Sequence, residues 1–197
     1  MPKEGDVILD IGAGLGEEVI FYSPLTGLTG KVISVEANPY AFSVLEKTVT
    51  LNDFTNVTCI QIAIYNKNGE VQLSLKAPSY DAATVTESIE NDQICVPSIR
   101  LDKLFAEQNI KKVNLLKSNI EGAERFIIET LSPELLSMVS NIAIACHDFR
   151  YNRDGNLFYK TKNLVMDYFR ENGFNIHTRQ TGIDYLDDWV YGVNKNL

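Results

Sequence analysis

Near the start of the chain stands Val7-Ile8-Leu9-Asp10-Ile11-Gly12-Ala13-Gly14-Leu15-Gly16-Glu17-Glu18, an apolar run followed by alternating glycines. The run predicts a β-strand that ends at Asp10, and a helical pattern begins at Leu15. Glycines between a strand and a helix let the backbone turn sharply and let a ligand approach main-chain N–H groups at the helix start. This arrangement favours a nucleotide-binding loop. Its candidate residues are Gly12, Ala13, Gly14 and Gly16.

A second apolar run, Lys31-Val32-Ile33-Ser34-Val35-Glu36, ends in a carboxylate. An acid at this point can accept hydrogen bonds from both ribose hydroxyls of a nucleoside that lies across the first two strands. Glycine clusters also occur in ordinary turns, so the glycine spacing alone is weak evidence. The order strand, glycine loop, helix, strand and terminal acid makes nucleoside binding the preferred interpretation.

The composition sets bounds on the class of protein. With 197 residues, of which 45% are hydrophobic, the chain can bury a full core, and we expect a single domain over residues 1–197. The 18 basic and 26 acidic residues give a formal net charge of −8, spread without long runs. Such a surface repels a phosphate backbone, so no large nucleic-acid footprint is expected, although a local basic patch stays possible.

Cysteine usage and hydropathy indicate the compartment. Cys59, Cys95 and Cys146 are far apart and lack any C-x-x-C pairing, so we expect buried thiols in a reducing compartment. There is neither an apolar run long enough for a membrane span nor a signal-peptide pattern, and the prediction is a soluble, cytoplasmic protein. The first strand begins close to the N-terminus, which suggests either a shortened chain or a domain without an N-terminal cap.

The remaining elements alternate between strand and helix. Such an order predicts a mostly parallel sheet with helices on both faces, and ligands then bind at the carboxyl ends of the strands. The alternating pattern from 70 to 75 and the run from 94 to 99 suggest a small antiparallel excursion. The further predicted strands are 57–64, 112–117, 141–147, 174–178 and 189–193, the helices begin near 39, 101, 124 and 164, and the aperiodic loops are 76–93 and 148–155.

Several short segments together resemble the FkbM-like branch of S-adenosylmethionine-dependent methyltransferases, over nearly the whole chain. The most specific is Leu116-Lys117 followed by Ile120-Glu121-Gly122-Ala123-Glu124, because the family carries a K-x-D-x-E-G-A-E type sequence there. The other matching segments are Leu9–Ala13, Val35-Glu36 with Asn38-Pro39, the strand end at Ala63, and Ile99–Leu104. The resemblance implies a Rossmann-like seven-stranded methyltransferase sheet with an antiparallel last strand. It also implies S-adenosylmethionine as cofactor and methyl transfer to an oxygen of a small molecule or sugar.

Two positions depart from the family pattern. Asn119 stands where the family has Asp, and Ala145 stands where a Glu often precedes the histidine that ends the fifth strand. If those carboxylates polarise the acceptor or hold a metal, the protein should be slow or altered, although cofactor binding could survive their loss.

The candidate site residues follow from the motifs and the resemblance. For the cofactor they are Asp10, Gly12, Ala13, Gly14, Gly16, Glu36, Ala37 and Ala63; for catalysis they are His147, Glu121, Lys117 and Asn119. A neutral imidazole at the strand end makes His147 the candidate base, whereas His177 is expected to be packed or paired within its strand. Asp10 has a structural alternative as a helix cap, and Lys117 with Glu121 and Glu124 as an ion-pair cluster. No His and carboxylate pattern predicts a metal site.

Three function classes stay open at this point. The preferred one is an S-adenosylmethionine-dependent O-methyltransferase that acts on a small molecule or sugar. The second is a binding or regulatory module that keeps the cofactor fold with weakened catalysis, because Asn119 and Ala145 are neutral. The third is an NAD-dependent oxidoreductase, since a glycine loop with Glu36 also suits NAD. The absence of a clear Tyr-x-x-x-Lys pair argues against that third class.

Overall fold

The computed structural model describes residues 1–74, 84–86 and 93–197, and only the backbone over 84–86. The strands are β1 Val7–Ile11, β2 Lys31–Glu36, β3 Val57–Gln61, β4 Ala63–Ile64, β5 Gly69–Ser74, β6 Thr84–Thr86, β7 Gln93–Ile99, β8 Leu115–Asn119, β9 Asn141–Ala145, β10 Phe174–Thr178 and β11 Trp189–Asn194. The helices are α1 Val19–Thr26, α2 Pro39–Leu51, α3 Leu101–Glu107, α4 Glu124–Thr130, α5 Pro133–Leu136, α6 Asp148–Asp154, α7 Lys162–Glu171 and α8 Asp184–Asp187, with a 3-10 turn at Leu157–Tyr159.

Seven strands form the main sheet in the order β10-β11-β9-β8-β1-β2-β3. The pairs from β9 to β3 are parallel, and β11 runs antiparallel to both of its neighbours. The predicted parallel sheet with an antiparallel last strand is therefore confirmed. Because parallel strands end at one edge, the carboxyl ends of β1, β2, β8 and β9 lie together there.

The predicted antiparallel excursion around 70–99 is also confirmed. A second sheet has the order β4-β7-β5-β6, in which β5 pairs antiparallel with β7 and β6. The loop predicted over 76–93 lies mostly outside the described residues, and within it 84–86 form a strand and Gln93 begins β7.

Both faces of the main sheet are covered by helices. On β3, Ile60 packs with the core that contains helix residues such as Leu104 and Phe169, whereas its neighbour Cys59 packs with Leu45 of α2. Successive residues of a strand point to opposite faces, so the two clusters lie on opposite sides. At the start of α2, Asn38 accepts a hydrogen bond from the N–H of Tyr40 at 3.0 Å, as a helix cap does, and Pro39 opens the helix as predicted.

Three of the differences between the predicted and the observed elements have a clear physical reason. The first helix begins at Val19 rather than Leu15, because Gly16 has a φ of 94° that no α-helix accommodates. The third strand breaks after Gln61, where the chain leaves the main sheet, and β4 pairs with β7 instead. The predicted loop at 148–155 contains α6; this helix buries no residue fully, so its sequence shows no apolar period.

The cysteines only partly match the prediction. Cys146 is buried and Cys59 half-buried, but Cys95 is exposed on β7, and all three are free thiols. Across the described residues no helix is long and apolar enough to cross a membrane.

Candidate functional site

The glycine loop folds back over the end of β2. The N–H groups of Gly12 and Ala13 both donate to the carbonyl oxygen of Val35, at 2.8 and 3.1 Å. The N–H of Gly14 donates to Oε2 of Glu36 at 2.9 Å. These main-chain donors therefore bind protein oxygens, whereas the sequence predicted that they face a ligand at a helix start.

Gly12 occupies a position that no side chain fits. Its φ is 74°, and a Cβ on it would lie 2.0 Å from the carbonyl oxygen of Asn119, at the end of β8. The loop after β1 and the end of β8 thus touch through the backbone. This contact forms the floor of the site.

Substitution of Gly12 by alanine is expected to destabilise the protein well beyond the cost of its backbone conformation. Gly155 is a matched control, because its φ is also 74° but a Cβ there meets no atom within 4 Å. Gly155→Ala should cost about 1–2 kcal/mol for the left-handed conformation, and Gly12→Ala about 1–3 kcal/mol more for the overlap. Urea unfolding of both variants measures the difference, and equal losses would contradict the close contact.

Glu36 is buried at the end of β2 and holds the chain around it. Its Oε1 accepts the N–H of Asn38 at 2.7 Å, and its Oε2 accepts that of Gly14. Burial raises the pKa of this carboxyl, and the hydrogen bonds from the backbone oppose the rise. Each carboxylate oxygen has two lone pairs, so Glu36 can still accept from a ligand hydroxyl.

Asp10 and Lys117 form a buried ion pair across β1 and β8. The two residues are direct neighbours in the sheet, and Nζ of Lys117 lies 2.9 Å from Oδ1 of Asp10, with both side chains almost fully buried. The ammonium also donates to the carbonyl oxygen of Gly12 at 3.0 Å and lies 3.5 Å from Glu18. Burial by itself would lower the pKa of Lys117, but the carboxylates of Asp10 and Glu18 raise it, whereas burial raises the pKa of Asp10.

The position of Asp10 excludes the alternative role that the sequence suggested, that of a helix cap. Asp10 does not cap α1, which begins at Val19 and has no side-chain cap. The ion pair instead holds the glycine loop in place, because Nζ of Lys117 also donates to the carbonyl oxygen of Gly12.

A second charged cluster joins the ends of β8 and β9. His147 is buried, with Nδ1 2.8 Å from Oε1 of Glu124 and Nε2 3.4 Å from Oε1 of Glu121. Nη2 of Arg150 lies 2.9 Å from Oε2 of Glu121. The hydroxyl of Thr161 donates to Glu124 at 3.1 Å. Charges therefore alternate from Arg150 at the wall of the site to fully buried Glu124.

The cluster changes the expected state of His147. Burial by itself would lower its pKa, but the charges and hydrogen bonds of Glu124 and Glu121 outweigh burial and raise the pKa to about 10. The imidazole is then protonated at pH 7, whereas the sequence predicted a neutral base. His177 is exposed on β10, so its predicted packed position is wrong.

Glu121 and Gly122, which follow β8, have an unusual backbone conformation that places the Glu121 side chain in this cluster. Glu121 has a φ of 55° and Gly122 one of 95°. A non-glycine residue in the left-handed region is uncommon and costs about 1–3 kcal/mol, and such positions often occur at functional sites. A Cβ on Gly122 would lie 2.6 Å from the ring of Phe158, so the turn also needs glycine for space.

Two adjoining clefts open at this edge of the sheet. The first is polar, has a volume of about 440 Å³ and runs from the glycine loop to Lys117, Glu121 and Arg150. The second is mostly apolar and lies between Ala37, Ile62 and Ala63. Four residues line both clefts: Gly12, Glu36, Asn119 and Glu121.

The structure thus brings most predicted site residues together. His147 and Asp10 are buried behind the clefts, and Gly16 lines neither cleft but lies against Leu45 and Thr48 of α2. The sequence prediction missed Glu17, Glu18 and Arg150 in the polar cleft, and Ile62 and Leu73 in the apolar one. For Arg150 a signal existed, because it lies three residues after His147 and one turn of helix separates them. Within the described parts of the chain, no three His, Cys, Asp or Glu side chains are arranged to hold a metal ion.

Solved structures share the fold of this chain. A putative rRNA methylase from Clostridium thermocellum has a TM-score of 0.63 at 15% identity, and the match covers 98% of this chain and 88% of that chain. Aeropyrum pernix fibrillarin, solved with natively bound S-adenosyl-L-methionine, has a TM-score of 0.56 at 16% identity, over 98% and 69% of the two chains. The chain has the Rossmann-like fold of S-adenosylmethionine-dependent methyltransferases.

The family follows from the sequence match. The model of the methyltransferase FkbM domain matches residues 10–176, so the chain belongs to the FkbM methyltransferase family, as its motifs predicted. Methyltransferase FkbM from Methylobacillus flagellatus has a TM-score of 0.62 at 16% identity, over 98% of this chain and 44% of that chain.

A curated relative is also a methyltransferase. Protein-L-isoaspartate O-methyltransferase from Methanococcus aeolicus is 26% identical over 135 residues, which are 64% of this chain and 60% of the relative. The chain therefore matches less than two thirds of that relative's length.

Proposed function

We propose that the chain binds S-adenosylmethionine across the two clefts and transfers its methyl group to an oxygen of a small molecule or sugar. The observation that carries this proposal is the junction of the clefts, where Glu36 stands between a polar and an apolar space. The polar cleft alone has a volume of about 440 Å³, which lies within the range of about 300–1,000 Å³ that ligand sites occupy. Membership of the FkbM family supports the same cofactor and reaction.

The residues present fit the parts of this cofactor. Glu36 would accept from the ribose hydroxyls, the apolar walls at Ala37 and Ala63 would hold the adenine, and the polar cleft over the glycine loop would take the methionine part. Bound S-adenosylmethionine supplies an electrophilic methyl group on a sulfonium. Asp10 and Lys117 contribute indirectly, because their ion pair and the bond from Lys117 to Gly12 fix the loop.

In this reaction the residues of the chain would mainly align the acceptor with the methyl group of the cofactor. The acceptor oxygen must approach the methyl carbon in line with the departing sulfur, and correct alignment can supply several kcal/mol of the barrier. Asn119 and Glu121 line both clefts at the carboxyl end of β8, where acceptor and cofactor would meet. The net charge of −8 supports a small acceptor over a nucleic acid.

The second candidate is a cofactor-binding module with weakened catalysis. It is favoured by the neutral residues Asn119 and Ala145, which are direct neighbours on β8 and β9. Single-turnover transfer from a radiolabelled methyl donor separates the candidates, because a module of this kind binds the cofactor without transferring label.

Substitution of Glu36 by alanine is expected to weaken binding of S-adenosylhomocysteine by about tenfold or more, because hydrogen bonds to a charged carboxylate contribute about 1.5–3 kcal/mol. Isothermal titration calorimetry measures the loss. The matched control is Glu46→Ala, which removes the same charge from an exposed position on α2. An unchanged affinity in Glu36→Ala, or an equal loss in both variants, would contradict the assignment.

A further inference from the structure

The wall of the polar cleft opposite the glycine loop carries a guanidinium. Arg150 lines this cleft, and its side chain is 17% exposed. Nη2 lies 2.9 Å from Oε2 of Glu121. Nη1 lies 3.4 Å from the hydroxyl of Tyr159, whose ring centroid is 5.2 Å from the guanidinium carbon. A guanidinium has five N–H donors, so these two contacts leave donors for a ligand.

The charges around Arg150 balance without a ligand. The carboxylates of Glu121 and Glu124 alternate with the imidazolium of His147 and the guanidinium of Arg150. The neighbouring strand ends contribute Asn119 and Ala145, which are neutral and directly paired in register. Of the charged side chains that line the cleft on this wall, Glu121 balances Arg150, and Asn119 adds no further charge.

Apart from Glu121, the acidic side chains that line the polar cleft lie on the side of the glycine loop. Glu17 and Glu18 follow the glycine loop and Glu36 ends β2, and Lys117 lies 3.5 Å from Glu18. That side of the cleft would face the sulfonium and the amino group of the cofactor, which are both cationic. The two walls differ in charge, and an anion is accommodated better beside Arg150 than beside the loop.

The same wall offers no neutral base to a hydroxyl acceptor. An alcohol attacks poorly unless its proton is removed. His147 lies between two carboxylates, which raise its pKa and favour the protonated imidazole over the neutral base. Glu121 already forms ion pairs with Arg150, at 2.9 Å, and with His147, at 3.4 Å. A carboxylate acceptor needs no base, because its oxygen is ionised at pH 7.

We infer, on the basis of the proposed function, that the methyl acceptor is a carboxylate whose oxygens are held by the guanidinium of Arg150. Arginine and carboxylate groups match in geometry and form paired, charge-assisted hydrogen bonds. One carboxylate oxygen attacks the methyl carbon, a C–O bond forms, and the C–S bond breaks. The electron pair of that bond goes to sulfur, which becomes a neutral thioether. The products are a methyl ester and S-adenosylhomocysteine, and no proton is taken up or released.

The test uses the full chain loaded with S-adenosylhomocysteine and two pairs of probes. Calorimetry compares benzoate with benzyl alcohol, and succinate with butanediol. The carboxylates should bind about tenfold more tightly or better, since a charge-assisted pair contributes about 1.5–3 kcal/mol. Arg150→Ala should abolish this preference, and Arg150→Lys, which keeps the charge but not the paired geometry, should retain part of it.

The matched control is Arg153→Ala on the same helix. Arg153 is 70% exposed and pairs with Asp154, so its removal should change neither probe's affinity. Affinity for S-adenosylhomocysteine reports in each variant whether the cofactor site is intact. A cofactor that does not bind to the wild type overturns the proposed function, whereas bound cofactor without a carboxylate preference overturns only the acceptor assignment.

A transfer experiment completes the test. The wild type is given S-adenosylmethionine labelled in its methyl group together with each carboxylate probe. Methyl esters release labelled methanol in alkali, whereas methyl ethers survive it. Release of label supports the inference; label that resists alkali, or no transfer to either carboxylate, contradicts it.

Discussion

Replacing Lys117 with methionine is expected to lower the free energy of unfolding by about 3–5 kcal/mol, because it leaves the carboxylate of Asp10 buried without its cation. Nζ of Lys117 lies 2.9 Å from Oδ1 of Asp10, and Asp10 is fully buried. Without Lys117, the buried carboxyl of Asp10 must stay charged without hydration or take up a proton, and either outcome costs free energy of folding. Urea denaturation at neutral pH measures the loss.

The exposed pair between Lys103 and Glu107 is the control. Its atoms lie 3.4 Å apart and both side chains are about half exposed, so Lys103→Met should cost about 0–1 kcal/mol. The double variant Asp10→Asn, Lys117→Met should recover part of the loss, because no unpaired charge remains. If Lys117→Met costs no more than Lys103→Met, the buried pair does not stabilise the loop as described.

The second large effect concerns His147, which contacts Glu121 and Glu124 and therefore acts as a positioning residue. His147→Gln should lower the single-turnover rate of methyl transfer by about 10²-fold, because Glu121 and Arg150 lose the geometry that the imidazolium imposes. Affinity for S-adenosylhomocysteine should stay within a few-fold. An equal loss of rate and cofactor binding would mark His147 as a purely structural residue.

The pH dependence distinguishes an imidazolium from a neutral base. A neutral base with an ordinary pKa would make the rate rise between about pH 6 and pH 8, whereas a protonated His147 leaves the wild-type rate flat there. The pKa of His147 in the folded protein, about 10, lies above its ordinary value of 6.5. The stabilisation of the fold by protonated His147 is therefore complete below pH 6.5 and is lost as pH rises towards 10. His147→Gln should lack this loss of stability, and a wild-type rate that titrates near pH 6.5 would contradict the charged form.

The main sheet could be predicted because its signals are local. β1 and β2 are short apolar runs with glycines or an acid at their ends, and buried parallel strands have this appearance. The helix α6 could not be recognised from periodicity, since it has no fully buried face. The sequence signals for this helix were Asp148 in its first turn and Gly155 directly after its last turn. In the structure Gly155 has a φ of 74°, as a glycine at the end of a helix often has.

Many residues of the candidate site could be predicted from the sequence, but the contacts between them could not. Lys117 meets Asp10 only because β8 pairs with β1, and more than a hundred residues separate them in sequence. The raised pKa of His147 depends on Glu124, the first residue of α4, which lies 23 positions earlier in the sequence. Sequence patterns assign residue types to strand ends, but long-range pairing decides which charges meet there.

The most direct test of the account is calorimetric titration of the wild-type chain with S-adenosylhomocysteine and, separately, with NADH. Glu36 at the junction of the clefts suits the ribose of either ligand, so the titration decides between the methyltransferase and oxidoreductase assignments. We expect S-adenosylhomocysteine to bind one site per chain and NADH to show no comparable heat. Tight binding of NADH with no binding of S-adenosylhomocysteine would contradict the assignment of this cleft.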